Sequence, residues 1–257
     1  MTTGKLRSAS YNIRKAKGLD RRRDPARTLA VINALEADVV VLQESDLRLG
    51  RRPTALPRKL IEKECDLGIA SVAKNEASLG WHGNAVLLRP GYEVLEVSHI
   101  ELPGLEPRGA VHVQIGGLAS VSIVAVHLGL VRRERVRQLA TIAAATRGQS
   151  PTVVAGDFNA WAKRLGCAPF EERFSVVSPG RCFHARRPIS SLDRIAVSEG
   201  LTVADAGVEE GLLARGSSDH LPVWADLSIG VRHRSDGPES NSSLYSEGPD
   251  WHHFDRK

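Results

Sequence analysis

Thr152-Val153-Val154-Ala155-Gly156-Asp157-Phe158-Asn159 is a β-patterned run that ends in an acid and an amide. Strand ends are where a rigid scaffold presents chemical groups, because the next residues can leave the sheet. The same pattern recurs along the chain. Asn12 closes Leu6–Asn12, Glu44 follows Val39-Val40-Val41-Leu42-Gln43, and His127 closes Val121-Ser122-Ile123-Val124-Ala125-Val126. Asp193 precedes Arg194-Ile195-Ala196-Val197, and Asp219-His220 precede Leu221-Pro222-Val223-Trp224. One such residue would mean little; six strand ends make a constellation.

Working outward, ten strands are expected: Leu6–Asn12, Val39–Gln43, Ala85–Arg89, Glu93–Val97, Ala110–Ile115, Ser120–His127, Thr152–Gly156, Arg194–Ser198, Leu201–Ala206 and Pro222–Leu227. Two helices stand out. One starts at Asp24 as N-cap with Pro25 behind it, an oxygen acceptor followed by a preset φ, and carries Leu29, Ile32 and Leu35 on one face. The other spans about Arg132 to Arg147, with Val136, Leu139 and Ile142–Ala143 inward. This alternation predicts a strand-rich α/β sandwich over residues 1–230. Residues 231–257 are rich in Ser, Gly, Pro and charge, and read as a disordered tail in which His252 and His253 are solvated.

The 257 residues are 42% apolar and 25% charged, enough to bury a core without staples. Leu118–Val131, the longest apolar stretch, is too short for a membrane span and contains His127. Met1–Arg7 has no apolar run, so no export signal is expected and a cytoplasmic monomer without stable membrane insertion is. Cys65, Cys167 and Cys182 are too few and scattered for a disulfide framework or a thiolate metal site. The net charge is +5, and residues 1–30 alone carry +7, which would attract a phosphate-bearing substrate. Arginine dominance among the basic residues, with only eight Lys, also fits plain composition, and Arg21-Arg22-Arg23 reads first as a solvated loop.

The polar set has the chemistry of a hard-metal phosphoester site. Carboxylate and amide oxygens suit Mg²⁺ or Mn²⁺, and the set lacks the Cys or H-E-x-x-H ligands that would suit zinc. Two histidines and an asparagine offer proton transfer and stabilisation of a phosphoryl oxygen. Each residue alone has a plainer role. His127 could be structural, Asp157 could shape an Asx-turn, and Asp193 could pair with Arg194 or Arg187. The ordered set favours function.

Tyr11-Asn12-Ile13, Leu42-Gln43-Glu44, Val126-His127-Leu128-Gly129-Leu130, Gly156-Asp157-Phe158-Asn159, Leu192-Asp193-Arg194-Ile195 and Ser218-Asp219-His220-Leu221-Pro222-Val223 occur in this order. Together they resemble the endonuclease/exonuclease/phosphatase superfamily of metal-dependent phosphoesterases, over residues 6–227. The resemblance implies a four-layer α-β-β-α sandwich of two packed mixed sheets flanked by helices, with the site at one sheet edge. It makes Glu44 the principal carboxylate ligand of the metal, with Asn12 beside it and Asp219 helping. Asp157 and Asn159 would flank the attacking water and the phosphate. His220 would be the general base, oriented by Asp193, while His127 would meet a phosphoryl oxygen or assist the leaving group. Whether Asp157 or His220 takes the proton stays open; a paired imidazole accepts one near neutral pH.

Arg14, Lys15, Asn84, Arg108 and Trp161 are weaker candidates for substrate contact, with surface solvation or core packing as the competing role. Departures from better-known branches narrow the substrate little. The run Glu44-Ser45-Asp46 lacks the Lys that apurinic-site endonucleases of the superfamily carry two residues after the Glu, and Ala160-Trp161-Ala162-Lys163-Arg164 replaces their second Asn-rich stretch. The chain looks most like small bacterial members. The expectation is a hydrolase for a phosphodiester or phosphomonoester in DNA, RNA, a phospholipid head group or a small ester. The rival is a non-catalytic binding or scaffold protein that retains the fold.

Overall fold

The computed structural model describes residues 4–117, 119–149 and 151–230. The expected tail, 231–257, lies outside the described residues. In chain order the first elements are β1 (Gly4–Asn12), α1 (Pro25–Ala34), β2 (Val39–Gln43), α2 (Arg58–Glu64), β3 (Gly68–Ile69), β4 (Ala85–Leu88), β5 (Glu93–Leu102) and β6 (Arg108–Gly116). They are followed by β7 (Val121–His127), α3 (Arg132–Ala145), β8 (Thr152–Asp157), α4 (Ala168–Glu171), β9 (Phe174–Val177), β10 (Asp193–Ser198), β11 (Leu201–Val208), α5 (Leu212–Ser217) and β12 (Val223–Ile229).

Two six-stranded mixed sheets result, ordered β11-β12-β1-β2-β4-β3 and β5-β6-β7-β8-β10-β9. Each holds one parallel pair, β1 with β2 and β7 with β8, and the other pairings are antiparallel. Parallel neighbours need a crossover, and α1 and α3 supply it. Asp24 accepts the Arg27 N–H at 2.9 Å and so caps α1, which buries Leu29, Val31 and Ile32. Leu139, Ile142 and Ala143 of α3 cover the outer face of the second sheet. The sheets meet face to face, β1 and β2 over β7 and β8, completing the α-β-β-α sandwich.

Period-two alternation sorts the central strands. Ile123, Ala125, Val153, Ala155, Ile195 and Val197 enter the main core, while Val124, Val126, Val154 and Ala196 join the cluster beneath α3. Burying each of the Val and Ile side chains contributes roughly 1.5–3 kcal/mol, which locks the register. The three cysteines are free thiols, and no helix among the described residues is long and apolar enough to cross a membrane.

Candidate active site

His127 and Asp157 continue the inward series of β7 and β8, and the parallel register sets them side by side. Asp193 opens β10 directly opposite Asp157. Glycine 156 is required for this alignment: its φ is +154°, and a Cβ there would lie 1.9 Å from the Val126 carbonyl oxygen. One residue past Asp193, Arg194 faces the other way and donates to the Ala160 and Lys163 carbonyls at 2.9 and 2.7 Å. Neither Arg194 nor Arg187 is Asp193's partner.

From across the sandwich, the first sheet brings Asn12, whose Nδ2 donates to Asp157 Oδ2 at 3.2 Å. Glu44, next after β2, has a left-handed backbone at φ 54° and an ion pair with Lys15. Ser218 donates to the Asn12 carbonyl at 2.7 Å and accepts the His220 N–H at 3.3 Å, tying the approach to β12 onto the end of β1. His220 then reaches Asp193 Oδ2 through Nδ1 at 2.7 Å. A carboxylate there requires Nδ1–H as donor, so Nε2 is left for the cleft, 3.8 Å from Asp157 Oδ2. His127 Nε2 lies 3.5 Å from the same oxygen. Asp219 pairs with Arg14 at 3.3 Å. Asp157 Oδ1 accepts the Asn159 N–H at 2.8 Å, and Asn159 Nδ2 donates to Leu128 O at 2.9 Å. The Asx-turn expected as the plainer role of Asp157 is therefore present within the site.

Two histidines beside one carboxylate are tuned in opposite directions. Burial pushes His127 down to about 4, aided by the Arg108, Lys15 and His220 charges and opposed by Asp157. Burial also works against the charged form of His220, but Asp193's charge and hydrogen bond, reinforced by Asp157 and Asp219, outweigh it and raise the imidazole to about 9. Environments that push a pair of titratable groups apart are the physical mark of divided proton roles.

The weaker candidates divide. Arg14 and Lys15 pair with Asp219 and Glu44, and Arg108 pairs with Glu106 at 2.6 Å. Trp161, 64% exposed, packs edge-on against Phe183, whose ring touches that of His220. Asn84 is fully buried; its Nδ2 donates to the Gly109 carbonyl at 2.8 Å, and its Oδ1 has no partner.

A model of the Endonuclease/Exonuclease/phosphatase family matches residues 9–220, from β1 through His220. The chain belongs to this family. Over 164 residues, 58% of this chain and 64% of the relative, it is 33% identical to the uncharacterized protein YbhP of Escherichia coli K12. The chain thus spans under two thirds of that relative's length. The endonuclease/exonuclease/phosphatase from Beutenbergia cavernae DSM 12333 is 24% identical with a TM-score of 0.66, covering 88% of this chain and 72% of that one. Danio rerio TDP2 complexed with single-strand DNA product is 18% identical with a TM-score of 0.66, covering 87% and 99%. These two likenesses speak for the shared fold.

Within this family fold, sequence reasoning missed two neighbours of the histidine–aspartate pair. Cys182 Sγ lies 3.0 Å from Asp193 Oδ2, within reach of a thiol hydrogen bond, and Phe183 walls the imidazole. Nothing in their local sequence marks them, since the contact spans 11 residues of irregular chain. Cys182, Asp193 and His220 form the one group of three Cys, His, Asp or Glu ligand atoms within 4.8 Å among the described residues. Its thiol and imidazole suit soft ions, and all three are already hydrogen-bonded together. Glu44, Asn12 and Asp219 offer oxygen atoms alone. The chain's own cations already sit on both carboxylates, Lys15 on Glu44 and Arg14 on Asp219. That donor set, not the thiol cluster, fits a hard divalent ion, which needs only one or two carboxylates.

Proposed function

We propose that this family member is a divalent-cation-dependent phosphodiesterase. The opposite tuning of His127 and His220 on either side of Asp157 carries the reading. Glu44, Asn12 and Asp219 are the residues that would hold Mg²⁺ or Mn²⁺. Such an ion, when bound, supplies positive charge to the phosphoryl oxygens and makes nearby water more acidic. His220, aligned through Nδ1 by Asp193, takes the proton of the attacking water at Nε2. Asp157 is the poorer base, because Asn12 and Asn159 already occupy both of its oxygens. It and Asn159 flank the water and the phosphate. His127, neutral at ordinary pH, donates a hydrogen bond to a phosphoryl oxygen or to the departing oxygen. Arg14 lends charge to the phosphate, and Trp161 stands at the cleft edge.

The substrate is a diester of a nucleic acid or a phospholipid head group, with a phosphomonoester as the alternative. A scaffold that kept only the fold has no need of two buried histidines poised in opposite protonation states. Hydrolysis of bis-p-nitrophenyl phosphate tests the reading: excess EDTA should abolish it, and Mg²⁺ or Mn²⁺ should restore it. Undiminished turnover in EDTA would contradict the proposal.

A further inference from the structure

The cleft that holds Glu44 and His127 does not end at them. A single cavity of about 320 Å³ holds them and runs on between the segment after β2 and the turn joining β5 to β6, past Arg48, Arg52, His82 and Arg108. Its charges do not balance. Glu44 is matched by Lys15, and Glu106 by Arg108, whose side chain is only 12% exposed. Asp46, the remaining acid, accepts the Leu79 and Gly80 N–H groups at 2.7 and 3.3 Å. Arg48 and Arg52 make no side-chain hydrogen bond or ion pair to the described residues; the Arg52 charge acts on Asp46, which leaves the wall with one cation more than its carboxylates.

The wall is also held in an unusual shape. Arg52 and His82 both have left-handed backbones, at φ 54° and 50°, which side-chain-bearing residues rarely adopt and which gather at ligand sites. The turn carrying His82 is fixed on both sides. Ser45 donates through N and Oγ to the Gly83 carbonyl at 3.0 Å each, and Trp81 and Asn84 exchange backbone hydrogen bonds at 2.9 and 3.0 Å. A fixed wall with an excess of guanidinium charge is suited to a phosphate, which accepts planar, paired N–H donors.

We propose that Arg48, Arg52, His82 and Arg108 form a second anion subsite, which takes a phosphate group of the substrate other than the one being cleaved. The inference rests on the catalytic reading above and deepens it: the preferred substrate carries at least two phosphates. Consecutive phosphates of a nucleic acid and a phosphorylated polyol share this chemistry.

Matched substrate pairs separate the two sources. One pair is the p-nitrophenyl ester of thymidine 5′-phosphate, without and with a 3′-phosphate. The other is inositol 1-(4-methylumbelliferyl phosphate), without and with a 4-phosphate. In one pair the added phosphate should raise kcat/KM at least ~tenfold, mostly through KM, because it adds binding that does not change during reaction. The Arg48→Ser/Arg52→Ser variant should bring that ratio to about one, and Arg52→Lys should leave it intermediate. A wild-type ratio near one in both pairs, or a ratio the double variant does not change, would overturn the subsite. Turnover of bis-p-nitrophenyl phosphate by the same preparation keeps the two claims apart. If it is hydrolysed without preference in either pair, the subsite is wrong and the catalytic reading stands. If no ester is hydrolysed, the catalytic reading fails, and calorimetry still decides the subsite. Thymidine 3′,5′-bisphosphate should bind tighter than thymidine 5′-monophosphate to wild type and not to the double variant; equal affinities for wild type would overturn it.

Discussion

His127 and His220 lie 3.5 and 3.8 Å from one oxygen of Asp157, yet burial leaves one neutral and Asp193 makes the other cationic. The sign of the pH dependence follows from that difference. A base with its pKa raised to about 9 must lose its proton before it can work, so kcat/KM should rise with pH along a unit slope and level off near or below 9. A bound divalent ion moves the bend down, because positive charge disfavours the imidazolium, but does not reverse the slope. Asp193→Asn should shift the bend to lower pH and cut the plateau by about 10²–10⁴, by analogy with the same substitution in the serine-protease triad. A rate that falls through this range would make His220 a cationic stabiliser and give Asp157 the proton. Asn12, Glu44, His127, Asp157, Asp193 and His220 were legible as residues because each follows or precedes a strand pattern. Cys182 was not, since only tertiary folding brings its sulfur to Asp193.

Among the elements, the four parallel strands carry the site. Asn12 ends β1, Glu44 follows β2, and His127 and Asp157 end β7 and β8, so the two crossovers present four polar groups at one edge. The arrangement depends on how closely β7 and β8 approach at Gly156. Gly156→Ala would drive a methyl group into the Val126 carbonyl, and should cost about 2–4 kcal/mol in urea unfolding while separating His127 from Asp157. Wild-type stability in that variant would show the approach to be slack. All ten expected strands are present, and so are both helices. The central strands and the helices have strong patterns because both faces or a full stripe are buried, whereas β5 and β11 lie largely exposed at the sheet edges. β5 runs on to Leu102, beyond the expected Val97, because pairing with β6 continues where its own alternation fades. The short elements β3, α2, α4, β9 and α5 were not legible. With two to seven residues each, they owe their form to neighbours more than to local pattern.

For the whole molecule, the sequence supports two packed sheets through its resemblance to the family, but no periodicity says which strand end faces which. That is a tertiary fact: β1 crosses β8, and Asn12 reaches Asp157 145 residues away. Charge was only partly legible. The +7 of residues 1–30 includes Arg14 and Lys15, which pair with Asp219 and Glu44, while Arg48 and Arg52 went unremarked. The assembled site divides labour between oxygen ligands for an ion and a histidine–aspartate pair for the proton. The most direct test measures Mn²⁺ affinity and bis-p-nitrophenyl phosphate turnover together in wild type, Glu44→Gln and His220→Gln. Glu44→Gln should lose both. His220→Gln should bind Mn²⁺ within a few-fold of wild type, yet lose about 10²-fold or more in kcat. Wild-type turnover in either variant, or loss of Mn²⁺ binding in His220→Gln to match that of Glu44→Gln, would contradict it.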